Sequence, residues 1–592
     1  MQSTKKVDPI TLAVVQGTLE TTQREMTLTI EKTARSSVLN LAHDYSNALF
    51  NWTPEMILQG QDLAIHLGSL MPAVRSISSY FEGDIYPGDI IYHNDPMYGG
   101  SHILDCCMYK PIFFEGELIF WAVSKAHLTD MGGPVPASYN PDAKEIYAEG
   151  LRIPPIKLWE KGKERKDILN MILTNVRSRR DQAGDLRAQL GAVQVAERNL
   201  LRLLKKYGKE TIKACIEELL NMSEKQMRKF ISNVPDGVYK GQGIVEDAGH
   251  GYGDIKIETT VTIQGENMHI ALNSPPQIPY FINSYYSNSF SAACLGIMMF
   301  TQAPAPYNEG MYRPITFDAG PTASLTNAME PAPHVNCTTT PSESITDSVR
   351  DALEKAMPHR AVASWAHCNG INIAGVDPRK NNEEYVSMIL ATQVGGAGAI
   401  PGVMDGWNAI GPQCDFGGLN SGDIELMEYK YPIVIHRYNL RKDSACAGKW
   451  RGGYGTVWEV EPIDHTMSVI AFGEGRKFPP QSALGAFSKL IDKKVAYFEK
   501  TDEYGKTEKI IKNGIYEVNP GERFSAYAPG GGAGGNNYER DPEKVLTDVE
   551  SGLLSIEAAE IEYAVVIDSN TMKINEGQTH LLRKQLMELS TI

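Results

Sequence analysis

Apolar positions along this chain follow a helical rhythm at its start. After Asp8 and Pro9, Ile10, Val14, Leu19, Met26 and Ile30 form a stripe that predicts a helix to about Ser37. Asp8 suits the N-cap and Pro9 the first helical position. The rhythm then shortens. "AHDYSNALFN" (42–51) reads as a strand leaving a turn, and "GDIYPGDIIYHNDPMYGGSH" (83–102) as short strands and turns. "LIFWAVSKAH" (118–127) predicts a strongly apolar strand ending on polar residues, where a buried scaffold hands side chains to a site.

A helical pattern returns from Arg180 to about Tyr207, with Gly208 as its stop. "ETIKACIEELLNM" predicts a second helix, and Ser223 with Gln226 make a capping-box pattern for a third, "EKQMRKFISNV". Strict alternation in "DIKIETTVTIQGENMHIALN" (254–273) predicts a β-hairpin turning at "QGEN". "NSPPQIPYFINS" and "TQAPAPYNEGMYRP" read as Pro-rich loops, and "SITDSVRDALEKAMPHR" (344–360) as a lone amphipathic helix. From about Glu428 the texture is β-rich. A turn-rich stretch, "APGGGAGGNNYERDP" (528–542), precedes a short helix and the strand "YAVVI". The expected fold class is α+β: a mixed α/β region over 1–235, a hairpin and Pro-rich loop region with one helix over 236–427, and a β-rich region over 428–592.

Composition narrows the function classes. The net charge of −15 and pI near 5.5 argue against a polyanionic partner, so no nucleic acid is expected. The short basic runs, such as "RSRR" (177–180), read as solvated helix faces. No apolar window is long enough for a membrane span, and the first residues lack a signal-peptide core. Eight cysteines without CxxC spacing fit reduced thiols in a cytoplasmic protein.

The candidate chemistry lies early. Of 13 histidines, His43, His66, His93, His102 and His127 fall close together, interspersed with Asp44, Asp89, Asp95, Asp105 and Asp130. "GGSHILDCCM" (99–108) carries HxxD at His102 and Asp105, and "AHLTDMGG" (126–133) repeats it at His127 and Asp130. Positions i and i+3 of a straight strand face opposite ways, so HxxD could chelate only from a turn or helix. The neighbouring Gly pairs allow such turns, which leaves a split metal site and two unrelated turns both open. Imidazoles with carboxylates suit Mn²⁺, Fe²⁺ or Zn²⁺. Cys106 and Cys107 are adjacent and read as packing residues. "PGGGAGG" (529–535) lacks GK[ST], so it reads as a structural loop, and no nucleotide cradle is found. Arg313 and Arg451 could bind a substrate carboxylate or simply tie loops together.

Ordered blocks across nearly the whole chain resemble one family. They include "PGDIIYHNDPMYGGSHILD", "AHLTDMGG", "NVRSRRDQAGDLRAQL", "DSACAGKWRGGYG" and "ERDPEKVLTDVESGLLS". The chain resembles the hydantoinase B family, the metal-binding type of subunit in ATP-dependent hydantoinases and oxoprolinases, which also includes a subunit of acetone and acetophenone carboxylases. That resemblance implies a divalent metal (Mn, Zn or Fe) held by Asp44, His102, Asp105 and His127. It implies His127 and Asp130 as catalytic residues, Asp130 acting as a further ligand or by orienting a His. Leu128 stands where many members have a second His. The resemblance further implies a hetero-oligomer with a hydantoinase A-like subunit that binds ATP and phosphorylates a small-molecule substrate. Hydrolysis of a cyclic amide is the first expectation, and ketone carboxylation the alternative. A scaffold with a structural metal is the non-enzymatic one.

Overall fold

The computed structural model describes residues 7–589 apart from 61, 247, 250 and 302–306, so part of the second Pro-rich loop lies outside the described residues. The fold is α+β. The first sheet has seven antiparallel strands: β1 (Tyr45–Asn51), β2 (Met56–Gln59), β3 (Ile90–His93), β4 (Asp105–Phe114), β5 (Glu117–His127), β6 (Ile156–Glu160) and β7 (Lys163–Glu164). Their order is β2-β1-β5-β4-β3-β6-β7. The long central strands β4 and β5 are buried along most of their length, which is why "LIFWAVSKAH" is apolar on both faces.

The first helix spans Pro9–Thr33, and the Asp8 carboxylate accepts the Thr11 amide N–H at 2.9 Å. It packs against the helix Arg179–Tyr207. Its buried face is Val15, Leu19, Met26 and Ile30, while Ile10 is 75% exposed, so the stripe begins a turn later than expected. The second and third helices expected after Gly208 are one, Lys209–Ile231. No Gly or Pro interrupts it, and Ile212, Ile216, Leu219, Ser223, Met227 and Ile231 stay on one buried face. The Ser223 capping pattern is therefore overridden by a continuous apolar stripe.

The expected hairpin, Ile255–Gln264 with Asn267–Asn273, lies inside a four-stranded sheet with Gly237–Val245 and Ile315–Asp318. The helix Ser342–Ala356 lies across this sheet and against the helix Tyr286–Met298. It is buried nearly all round, charged residues included, rather than half-exposed. Gly243 permits that approach: a Cβ there would sit 1.9 Å from the Ser344 carbonyl oxygen. Two further sheets, four- and five-stranded, account for the β-rich remainder. Strands Glu383–Ile389 and Met467–Gly473 of the four-stranded sheet bring Met388 and Phe472 to the cavity at the polar end of the first sheet.

The glycine-rich stretches pack on one another. The amide of Gly531 donates to the Gly453 carbonyl and that of Gly396 to the Pro529 carbonyl. Near the end, "YAVVI" is not a strand: Tyr563 closes the helix Ile556–Tyr563, and only Ile567–Asp568 extends into a two-residue strand. Ala564 takes a left-handed turn there (φ 52°), which breaks the run.

Candidate metal centre

Strand register places the candidate residues. β5 ends on His127, and Asp105 opens β4 directly opposite it. On the other flank of β5, Tyr45 pairs with Ala126, so Asp44 stands just past the same strand end. Its carbonyl accepts the His127 amide N–H at 3.1 Å. His102 arrives by a turn, in which the Asp105 amide donates to the His102 carbonyl at 3.0 Å. That turn curls the HxxD so that both side chains face one way.

The side chains then converge. His102 Nε2 lies 2.9 Å from Asp105 Oδ1 and 3.1 Å from His127 Nδ1, and His127 Nδ1 lies 3.4 Å from Asp105 Oδ1. Asp44 Oδ2 is 3.9 Å from His127 Nδ1. All four residues are buried, and they line one cavity. Lys125 Nζ and His66 Nε2 approach Asp105 Oδ2 at 3.1 and 3.4 Å. Burial pushes Asp105 upward, but His102, Lys125 and His66 outweigh it and hold the carboxyl well below its ordinary range. Burial pushes Asp44 up to about 7, with Asp105 and Asp415 adding and His127 opposing. Burial also lowers His66 to about 4, so its imidazole is neutral.

These residues fit a divalent cation. His102 Nδ1 lies 2.7 Å from the Val335 carbonyl oxygen. A nitrogen facing a carbonyl keeps its proton, so with a cation bound Nε2 would be the nitrogen that turns its lone pair to the ion. His102, Asp105 and His127 offer ligand atoms within 4.8 Å of one another, and Asp44 Oδ1 is buried without a hydrogen-bond partner. A mixed imidazole and carboxylate set is the chemistry of Mn²⁺, Fe²⁺ or Zn²⁺.

The second HxxD does not repeat the first. Asp130 is fully buried outside this group. Its carboxylate accepts the amides of Gly132, Ala137 and Arg177 and the Arg177 guanidinium at 2.9 Å, which braces a loop. His43 takes a positive φ of 64° and meets Asn420, while His93 meets the Tyr109 hydroxyl at 2.8 Å. Asp89 pairs with Lys157, and Asp95 caps a short helical turn. Cys106 and Cys107 pack into different apolar clusters, as adjacent strand residues must. Arg313 is held by Glu55 and Glu224, and Arg451 by Asp548 and Asn408; both tie loops.

Other cavity residues are Tyr139 and, from far along the chain, Thr339, Gln393, Asp415 and Phe472. No short-range motif announces them. A second buried group, Glu343, His367 and Glu474, also meets within 4.8 Å. His367 Nε2 lies 2.9 Å from Asp347 Oδ2 and Nδ1 lies 3.4 Å from Glu474 Oε1. Burial alone would lower His367, but these carboxylates raise it well above its ordinary value. Both ring nitrogens face carboxylates, so the protonated imidazole makes this group a charge clamp. Through Glu343 it accepts the amides of Cys368 and Cys414, which fixes the loop carrying Asp415.

Comparison with known proteins follows the same lines. The model of the hydantoinase B/oxoprolinase family matches residues 8–537. The caprolactamase subunit beta of Pseudomonas jessenii is 58% identical over 577 residues, covering 98% of this chain and 99% of that protein. The crystal structure of ATP-dependent caprolactamase from Pseudomonas jessenii matches with a TM-score of 0.94 at 55% identity, covering 98% of this chain and 100% of that one. The nucleotide-free structure of acetone carboxylase shares the fold, with a TM-score of 0.89 at 17% identity over 99% of this chain and 83% of that one.

Proposed function

The chain belongs to the hydantoinase B/oxoprolinase family, and from that premise we propose that it is the metal-bearing subunit of an ATP-dependent cyclic amide hydrolase that opens lactam rings. The observation that carries the reading is the convergence of His102, Asp105 and His127, with Asp44 beside them, in a buried cavity. Likeness to a caprolactamase subunit over nearly the whole of both chains directs the substrate class to lactams.

A divalent ion in this group would polarise a water or a carbonyl oxygen. Asp44, His102, Asp105 and His127 are its ligands in this reading. Val335 fixes the tautomer of His102, and Lys125 keeps Asp105 ionised. ATP belongs to a hydantoinase A-like partner in a hetero-oligomer. Two things support that division: the subunit name of the caprolactamase relative, and the glycine-rich stretches here, whose amides are used in packing. Phosphorylation of the amide oxygen by the partner makes the acyl carbon electrophilic, and this chain supplies the cavity where water meets it. The cytoplasm is the proposed compartment, supported by eight cysteines that are all free and buried.

The test is ATP turnover and ring opening by this chain co-purified with its partner, on ε-caprolactam, 5-oxoproline and hydantoin, with and without bicarbonate. Metal content is measured beside it in the wild type and in His102→Ala. Bicarbonate-independent opening of a lactam is the expected result. Strict bicarbonate dependence with a ketone substrate would replace the reading by a carboxylase. Retention of metal by His102→Ala would remove His102 from the ligand set.

A further inference from the structure

The cavity holds a third carboxyl group, beside Asp44 and Asp105, contributed by a loop far along the chain from the strand ends. Asp415 is 3% exposed and lines the same cavity as Asp44, His102, Asp105 and His127. Its Oδ1 receives only the Cys414 thiol at 3.2 Å, and its Oδ2 has no hydrogen-bond partner. Among the described residues no cation forms an ion pair with it, and the ionisable groups that bear on it electrostatically are Cys414, Glu343, Asp44 and Cys368. Buried with no N–H donor and no side-chain cation beside it, the carboxyl favours its acid form. Burial first, and Glu343 second, push it up to about 8.

Its placement is rigid. The preceding Gln413 accepts the Ser364 hydroxyl and the Trp365 amide, both at 2.9 Å, and donates to the Glu343 carbonyl and to Asp347. The Cys414 amide donates to Glu343. After Asp415 the chain turns through Phe416 (φ 46°) and Gly417 (φ 79°), and the Gly418 amide closes the turn on the Asp415 carbonyl at 3.0 Å. A carboxylic acid is thereby fixed in the lining that it shares with the candidate metal ligands and with the apolar Phe472 and Leu390.

We propose that the Asp415 carboxyl is the proton donor of this cavity, delivering its proton to the ring nitrogen of a bound cyclic amide as the C–N bond breaks. This rests on the cyclic-amide reading above. The chemistry requires such a group, because an amide nitrogen does not leave as an anion. Once water has added to the O-phosphorylated amide, the adduct carries a hydroxyl, the phosphoryl oxygen and the ring N–H. As it collapses, the hydroxyl oxygen forms the C=O bond and releases its proton. The C–N bond breaks with its electron pair kept by nitrogen, and the Asp415 proton completes the amine. The released hydroxyl proton restores the Asp415 acid. The remaining acyl phosphate is hydrolysed by a second water to carboxylate and phosphate.

The experiment uses wild type, Asp415→Asn and Asp415→Glu, each co-purified with the partner, with ATP and ε-caprolactam. Asp415→Asn is expected to keep its metal content and melting temperature and to slow ring opening about 10²–10⁴-fold. ATP use continues, and phosphorylated lactam accumulates in ³¹P NMR. The alkaline limb of the wild-type rate, expected near pH 8, disappears. Ring opening within threefold of wild type would overturn the proposal, and so would loss of metal, which would make Asp415 a ligand. If Asp415→Asn does not fold, Asp415→Glu decides: a displaced alkaline limb supports the proposal and an unmoved one ends it. A wild-type complex that opens no cyclic amide would sink the functional reading and this proposal together. Wild-type activity with an indifferent Asp415→Asn sinks this proposal alone.

Discussion

His102 and Val335 are joined by one bond: the imidazole Nδ1–H points at the Val335 carbonyl oxygen, 2.7 Å away. That bond fixes which nitrogen of His102 faces Asp105 and His127. Val335 is itself held, because Glu149 Oε1 accepts the amides of His334 and Val335, each at 2.7 Å. Glu149 has no hydrogen bond or ion pair to a candidate ligand, yet it anchors the segment whose carbonyl sets the tautomer. Glu149→Gln is therefore expected to weaken metal affinity about 10–100-fold with little change in fold. Competition with a chelator measures it, and an unchanged affinity would show that the Val335 carbonyl is oriented without Glu149.

Asp130 offers the opposite expectation. It is buried, four donors converge on it, and it lies outside the cavity. Asp130→Ala strands the Arg177 guanidinium and three backbone amides, a loss of about 3 kcal/mol. Metal content of the folded fraction stays at the wild-type level. Denaturant unfolding and metal analysis on the same sample separate the two effects. A stable Asp130→Ala protein that had lost its metal would return Asp130 to the site.

Local patterns made the strand ends and the turn at His102 legible. The apolar run ending at His127, the glycines before His102 and the HxxD spacing were all readable, and each sits where the candidate ligands gather. The resemblance brought Asp44 to the same place. Register was not readable: pairing of Asp105 with His127 is a property of the sheet, and the echoing HxxD misdirected attention to Asp130. His66 was visible only as one of five clustered histidines. Asp415 stands in a loop without any motif, and its importance comes from the cavity it faces and the bonds its oxygen lacks. The Ser223 pattern failed for a related reason. A local cap contributes about 1 kcal/mol, less than an unbroken buried face over many residues.

The charge clamp at His367 has a pH signature. Its folded pKa is raised, so the stability it contributes is full below the ordinary imidazole value of 6.5 and is lost as pH rises through the folded value. Asp347, lowered by His367 against burial, contributes above 3.8 and loses that contribution as pH falls through its own folded value. The pair is fully formed between those limits. Above pH 6.5 the wild type is expected to lose stability at up to about 1.4 kcal/mol per pH unit for this proton. Glu343, pushed up to about 7 by burial, adds in the same direction below that value, so the comparison is made against His367→Gln. Urea midpoints from pH 6 to 9 should fall less steeply in His367→Gln. Parallel slopes would mean that His367 is not the cation of the clamp.

Two glycines test whether the glycine-rich stretches are packing elements. A Cβ on Gly531 would sit 1.9 Å from the Ala397 carbonyl oxygen, with the Gly396 carbonyl also inside van der Waals distance. Both obstacles are backbone, so the strand of chain itself must move. Gly17 lies within the first helix, and a methyl group added there would meet nothing within 4 Å. Gly17→Ala should therefore stabilise the protein by about 1 kcal/mol through helix propensity. Gly531→Ala should fail to yield soluble protein or melt far below wild type, because an interior without free space has no room for the displaced backbone. Thermal melts of the two variants give the comparison. A Gly531→Ala protein as stable as wild type would mean that the stretch can open, and its amides would again be available to an anion.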